Sequence, residues 1–109
     1  MLNTAIIMGR IASDLSLKST QGGVPYLQFT LAVERSYVDA EGNRATDFIQ
    51  CIAWRQTAEW IAKYFGKGRM LAVTGTIQTG THQSQSGETH YDTTVSVSTA
   101  SFTGEAGKK

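Results

Sequence analysis

The residues of this chain with the clearest chemical potential are aromatic rings set among arginines, within residues 35–55. Phe48 and Trp54 are separated by an even number of residues, so in a β-strand they point to the same face. Arg55 follows Trp54 directly, and Arg35 and Tyr37 lie shortly upstream. Aromatic rings interleaved with cations on a sheet surface can stack unpaired nucleobases and hold phosphates. These residues therefore predict a stacking surface for single-stranded nucleic acid.

The other face of the same segment is apolar too, since it carries Ile49, Cys51 and Ala53. A strand with two apolar faces can also be buried on both sides. From this segment alone, a stacking surface and a buried central strand are equally compatible with the pattern.

Composition limits the classes of protein to consider. With 109 residues and 40% apolar residues, the chain is long enough for one folded domain and too short for two. The single proline and eleven glycines, with many Thr, Val and Ser, favour strands and turns. The net charge of +1 argues against binding nucleic acid mainly through bulk electrostatics, although cations can still line a groove.

Several kinds of site are excluded by the residue types. Cys51 is the sole cysteine, so neither an intramolecular disulfide nor a cysteine-based zinc site is possible. There is no glycine-rich phosphate loop and no evident Cys/His or Ser/His pair. We therefore expect no cofactor, no metal and no enzymatic activity. No apolar run approaches the length of a membrane span, so we expect a cytoplasmic protein without a membrane partner.

The strands that must position the aromatic rings follow from alternation and apolar runs. Five are predicted, at residues 5–12, 26–34, 48–54, 70–79 and 91–102. A stripe of Ala58, Ile61, Ala62 and Phe65 at helical spacing predicts a short helix between the third and fourth strands. Gly9 is expected at a bend and Gly75 at a bulge or a close approach of two strands, and residues 81–89 are predicted to be a polar loop. This order predicts an all-β fold, a five-stranded OB-fold Greek-key barrel, although another five-stranded barrel would give much the same pattern.

Several stretches of this sequence, in order along nearly the whole chain, resemble the DNA-binding core of the bacterial single-stranded DNA-binding protein family. They are Met1-Leu2-Asn3 with Gly9-Arg10, Phe29-Thr30-Leu31-Ala32-Val33-x-Arg35, Asp47-Phe48-Ile49-x-Cys51-x-Ala53-Trp54-Arg55, Lys67-Gly68-Arg69 and Gly75-x-Ile77-Gln78-Thr79. Several separate matches in the right order are more specific than any single motif.

The resemblance implies an OB-fold domain at residues 1–103, followed by a flexible tail at 104–109. It implies assembly, typically as a homotetramer, and sequence-independent binding and protection of single-stranded DNA in replication, recombination and repair, in association with the nucleoid. Members of the family usually continue to an acidic tip that recruits replication and repair proteins. This sequence ends in Lys108-Lys109 without that tip, so such partners are expected only if a longer native tail exists.

The resemblance also implies roles for individual residues. The stacking aromatics fall on Tyr37, Phe48 and Trp54, and the family's hairpin aromatic corresponds to His82. The phosphate contacts fall on Arg10, Arg35, Arg55, Lys67 and Arg69, and with them Lys18. The hairpin around His82 has no cation, where relatives usually carry basic residues, and a histidine stacks more weakly than a tryptophan.

Other interpretations stay open at this point. The missing acidic tip also suits an accessory OB-fold protein that resembles the dimeric primosomal replication protein B, and a purely structural oligomerisation module would explain the apolar faces. Arg35 and Arg55 could instead pair with Glu34 and Glu59. Trp60 is expected to be buried against a neighbouring strand or a partner subunit.

Overall fold

In the computed structural model, which describes residues 1–104, the chain forms six β-strands and one α-helix. Their order is β1 (Ala5–Ile11), β2 (Lys18–Ser19), β3 (Pro25–Glu34), β4 (Thr46–Trp54), α1 (Arg55–Tyr64), β5 (Met70–Gln83) and β6 (Thr89–Ser101). Because β2 has only two residues, five long strands remain, with the helix between the third and fourth of them, as predicted. The predicted tail at 104–109 lies outside the described residues, apart from Gly104.

The strands form one sheet in the order β1-β5-β6-β4-β3-β2, and a further pairing joins β1 to β3. The pairings are antiparallel, apart from a short parallel contact between β4 and β6. The sheet therefore curls round so that β3 also pairs with β1, through Arg10↔Ala32 and Ile11↔Leu31. Such a curled, partly open sheet with one helix is the OB-fold arrangement, and the predicted fold class is confirmed.

Alternation along β3 and β4 separates a core face from an outward face. Leu27, Phe29 and Leu31 of β3 are buried, as are Cys51 and Ala53 of β4. Ala58 and Ile61 of α1, together with side chains from β1, β5 and β6, complete this core. The residues between these positions point outward, so within residues 1–104 the strand β4 is not buried on both faces.

Two glycines lie where neighbouring strands approach too closely for a side chain. A Cβ at Gly9 would come within 2.6 Å of the carbonyl oxygen of Ala32, next to Arg10, where β1 pairs with β3 as well as with β5. A Cβ at Gly75 would overlap the carbonyl oxygen of Ser96, at the point where the β5–β6 register shifts. The irregularity predicted at Gly75 is present as this register shift, and both positions need glycine because the neighbouring backbone approaches closely.

The helix α1 packs on β3, β4 and β6 through the predicted apolar stripe. Trp60 is half-buried and joins an aromatic cluster with Tyr64, Phe65 and Phe102. The ring of Phe102, which follows β6, lies 5.1 Å from that of Trp60 and 5.0 Å from that of Phe65. The cluster therefore packs the end of β6 against the helix. Within residues 1–104, no helix has the length and apolar character to cross a membrane.

The hairpin between β5 and β6 differs from the prediction. Residues 81–83 belong to β5, with Thr81 opposite Tyr91, His82 opposite His90 and Gln83 opposite Thr89. Only residues 84–88 form the loop. The polar composition suggested a longer loop, but threonine favours strands and backbone pairing needs no apolar side chain.

Candidate functional site

The outward residues of β3 and β4 form a continuous surface, which we call the outer face. It consists of four cross-strand pairs, Tyr26↔Trp54, Gln28↔Ile52, Thr30↔Gln50 and Ala32↔Phe48. Phe48 is 66% exposed and Trp54 is 40% exposed. Phe48 and Trp54 are six positions apart on β4, which places their Cα atoms about 20 Å apart. Between them, Thr30 Oγ1 donates a hydrogen bond to Gln50 Oε1 at 3.3 Å. The outer face thus has an exposed ring at each end and polar side chains between them.

Tyr26 is an aromatic residue of this surface that sequence reasoning missed. Its ring centroid lies 5.4 Å from that of Trp54, with the two planes tilted by 35°. Lys18 of β2 is the register partner of Tyr26 on its other side. A cation, a tyrosine and a tryptophan therefore lie in one row across three strands. Alternation along β3 gives the direction of Tyr26, but only the β3–β4 register places it opposite Trp54.

Tyr37 lies beyond the end of β3 and is 60% exposed. Arg35 Nη1 donates to its hydroxyl at 3.0 Å. The same guanidinium donates from Nε to Asp47 Oδ2 at 3.1 Å and from Nη2 to Asp47 Oδ1 at 3.0 Å. These bonds hold the pKa of the Asp47 carboxyl below its usual range and raise the pKa of Arg35. Arg35 thus pairs with Asp47 and not with Glu34, which the sequence had suggested as an alternative partner.

Three of the predicted cations meet where β1 ends. Arg10 is exposed and donates from Nη1 to the carbonyl oxygen of Gly68 at 3.1 Å. Lys67 precedes that glycine in an exposed turn. Arg69 donates from Nη1 to the Tyr64 carbonyl at 3.1 Å, and its guanidinium lies over the Phe65 ring. Arg10 is also the register partner of Ala32, so it lies on the row that leads to Phe48.

Arg55 connects the outer face to the helix. It is exposed, it follows Trp54, and its φ of 57° is in the left-handed region. Non-glycine residues adopt this conformation uncommonly, at a cost of about 1–2 kcal/mol. The turn allows β4 to end at Trp54 and the helix to begin at the next residue. A cation is therefore held beside Trp54 in an unfavourable backbone conformation.

His82 lies in the outer part of the β5–β6 hairpin. Its ring stacks on that of His90 at 5.2 Å, with 20° between the planes. Its Nδ1 lies 3.1 Å from Asp92 Oδ2, and since a carboxylate only accepts, Nδ1 carries the hydrogen. His82 therefore lies on the hairpin and not on the outer face.

A second missed aromatic, Tyr91, follows the histidine pair and is 79% exposed. With Asp92 it lines a groove that is also lined by Thr30 and Gln50 of the outer face. The hairpin and the outer face therefore border one groove. The sequence predicted only that Tyr91 lies in a strand. The residues that line the groove with it are far away in the chain, so no local pattern indicated the groove.

The chemistry of this surface is that of binding. Exposed rings can stack on flat ligands, and the arginines and lysines around them can neutralise phosphates. Among residues 1–104, no group of three histidine, cysteine or acidic side chains is placed to hold a metal ion. Cys51 is buried, and burial raises the pKa of its thiol to about 12, which removes it as a nucleophile at neutral pH.

Comparisons with known proteins agree with this picture. A model of the single-strand binding protein family matches residues 2–103. The chain is 47% identical to the single-stranded DNA-binding protein of Caldanaerobacter subterraneus subsp. tengcongensis, over 87% of this chain and 63% of that protein. It is 41% identical to that of Oceanobacillus iheyensis, over 94% of this chain and 63% of that protein. It is also 39% identical to single-stranded DNA-binding protein 1 of Streptococcus pyogenes serotype M18, over 87% of this chain and 73% of that protein.

The chain thus spans less than two thirds of the length of the first two of these relatives. The family and the relatives are described as binding proteins, in agreement with the expectation of a protein that is not an enzyme.

Proposed function

The chain belongs to the single-strand binding protein family, and from this premise we propose that it binds single-stranded DNA without sequence preference. Bases stack on Trp54, Phe48 and Tyr37 while phosphates meet the surrounding cations. The observation that carries the proposal is the outer face, where exposed rings stand at both ends of one strand pair. Such rings can stack on any base, since every base has a π-face. They cannot stack on the bases of a duplex, because pairing and stacking hide those faces.

The cations surround the rings on several sides. Lys18 lies in the row of Trp54, Arg55 follows that residue, and Arg10 lies in the row of Phe48. Lys67 and Arg69 extend the positive charge beyond Arg10. Each neutralised phosphate releases counterions, so we expect binding to weaken with salt by about 0.7 in log–log slope per contact. His82 supplies a further, weaker stacking position on the hairpin.

Assembly is part of the proposal. We propose that residues 1–103 form the DNA-binding domain and that the protein is a homotetramer, active in the cytoplasm at the nucleoid during replication, recombination and repair. Ile6 and Met8 on β1 and Ile77 on β5 are exposed apolar side chains, and β1 pairs with β5. Apolar side chains of this size on neighbouring strands suit burial against another copy of the chain.

The test is a pair of titrations of a fluorescein-labelled thymidine homopolymer and of a blunt duplex of equal length, each followed by anisotropy. We expect saturable binding of the single strand and, at the same salt, much weaker binding of the duplex. Equal affinity for both would contradict base stacking. Sedimentation equilibrium of the unliganded protein checks the assembly, with four chains expected and two or one contradicting the tetramer.

A further inference from the structure

One hydrogen-bonded network connects the end of the β3–β4 pair to Tyr37. The guanidinium of Arg35 presents Nε and Nη2 to the two carboxylate oxygens of Asp47, and Nη1 to the Tyr37 hydroxyl. Asp47 directly precedes Phe48, whose ring stands on the outer face. The Arg35 side chain thus joins Tyr37 to the residue that precedes Phe48.

The backbone around the network is also held. The Arg35 N–H donates to the Ala45 carbonyl at 2.9 Å, and Arg44 Nη1 donates to the Arg35 carbonyl at 3.1 Å. Arg35 is therefore fixed at its main chain as well as at its side chain. Tyr37 lies two residues further along the chain, so the fixed backbone of Arg35 also restricts the position of Tyr37.

We propose that Arg35 and Asp47 act as positioning residues that hold the ring of Tyr37 ready for stacking, and that Arg35 neutralises no phosphate. The inference rests on the proposed function, since it assigns a role within single-stranded DNA binding. It differs from the phosphate contact that the family resemblance implies for Arg35.

Charge and geometry both support this assignment. A bidentate arginine–carboxylate pair fixes the guanidinium plane, which a single contact would not do. The Asp47 carboxylate, 3.0 Å away, balances the charge of Arg35, so little attraction remains for a phosphate. Arg55, in contrast, has no ion pair with Glu59 among the described residues.

Holding Tyr37 in place has a consequence for affinity. Ordering a mobile side chain on binding costs about 0.5–1.5 kcal/mol, and a ring that is already held avoids this. Loss of the network is therefore expected to weaken binding about 2- to 12-fold. Because no phosphate contact is lost, the salt dependence stays unchanged.

The experiment measures the affinity for a thymidine homopolymer across a series of salt concentrations, for the unaltered chain and for the double variant Arg35→Gln/Asp47→Asn, which removes both paired charges so that no unpaired carboxylate is left beside the DNA. We expect weaker binding with an unchanged log–log slope. Arg55→Gln is the matched control, and its slope is expected to fall by about 0.7. A fall of that size for Arg35→Gln/Asp47→Asn would overturn the inference.

A second variant, Tyr37→Phe, keeps the ring and removes only the hydroxyl that Arg35 bonds. We expect it to weaken binding, and we expect its combination with Arg35→Gln/Asp47→Asn to lose less than the sum of the two separate losses. Unaltered affinity of Tyr37→Phe, or strict additivity, would also overturn the inference. If the unaltered chain does not bind the homopolymer at all, the proposed function itself fails, which distinguishes the two failures.

Discussion

Replacing Phe48 with alanine tests the role of this ring in binding with only a modest loss of stability, because the ring is mostly exposed in the unliganded protein. Its backbone is fixed opposite Ala32 in the β3–β4 pair, and its side chain is 66% exposed. The ring therefore contributes little to the core, although it stands on the outer face. An exposed ring that is held in place by a sheet is expected to matter for a ligand more than for the fold.

The magnitudes follow from the exposure. Phe→Ala at a fully buried site costs about 3–5 kcal/mol, so the one third of Phe48 that is buried corresponds to about 1–2 kcal/mol of unfolding free energy. A base stacked on an aromatic ring contributes about 1–3 kcal/mol. We therefore expect Phe48→Ala to weaken binding of single-stranded DNA about 5- to 150-fold.

The assay is anisotropy with a short labelled thymidine oligonucleotide, of about 16 nucleotides or fewer, so that one OB-fold is tested at a time. Urea denaturation of the same samples gives the stability. Tyr64→Ala is the control, because Tyr64 lies in the aromatic cluster of α1 and is 45% exposed. Its replacement should lower stability and leave affinity unchanged. An unaltered affinity for Phe48→Ala, or an equal loss for Tyr64→Ala, would refute the reasoning.

Three further predictions concern the backbone, the thiol and the sheet. Arg55→Gly should raise the unfolding free energy by up to about 1 kcal/mol, since glycine adopts a φ of 57° freely, and should weaken DNA binding; unaltered affinity in the same anisotropy assay would contradict it. Cys51, with a thiol pKa raised to about 12, should react with a disulfide reagent at pH 8 only after unfolding in urea, so rapid labelling of the native protein would contradict its burial. The same shift means that its contribution to stability, complete below the ordinary thiol pKa, declines as pH rises above it. Gly75→Ala should cost about 1–3 kcal/mol in urea denaturation because its Cβ would overlap the Ser96 carbonyl oxygen, whereas Gly80→Ala, with nothing within 4 Å, should change stability little.

Local patterns predicted the elements that form the outer face. The alternation in residues 48–54 gave the correct division between Phe48 and Trp54 on one side and Cys51 and Ala53 on the other. The apolar stripe of the helix likewise gave its buried side. These predictions succeed because the direction of a side chain depends on its position within its own element.

Contacts between elements could not be predicted in the same way. Glu34 is the neighbour of Arg35 in sequence, yet successive side chains on a strand diverge and the bonded partner is Asp47, twelve residues away. The pairing of Tyr26 with Trp54 similarly depends on a register that no local rule supplies. No sequence pattern predicted the left-handed backbone of Arg55, because glycine or asparagine is the usual residue in that conformation.

The measurement that tests the central claim most directly is the fluorescence of Trp54 during titration with a thymidine homopolymer. The chain has two tryptophans, so a Trp60→Phe variant leaves Trp54 as the only reporter. If bases stack on the outer face, the single strand should quench this fluorescence strongly and saturably, while a blunt duplex should not. Saturable binding by anisotropy without any quenching of Trp54 would contradict the claim that the DNA lies on this face.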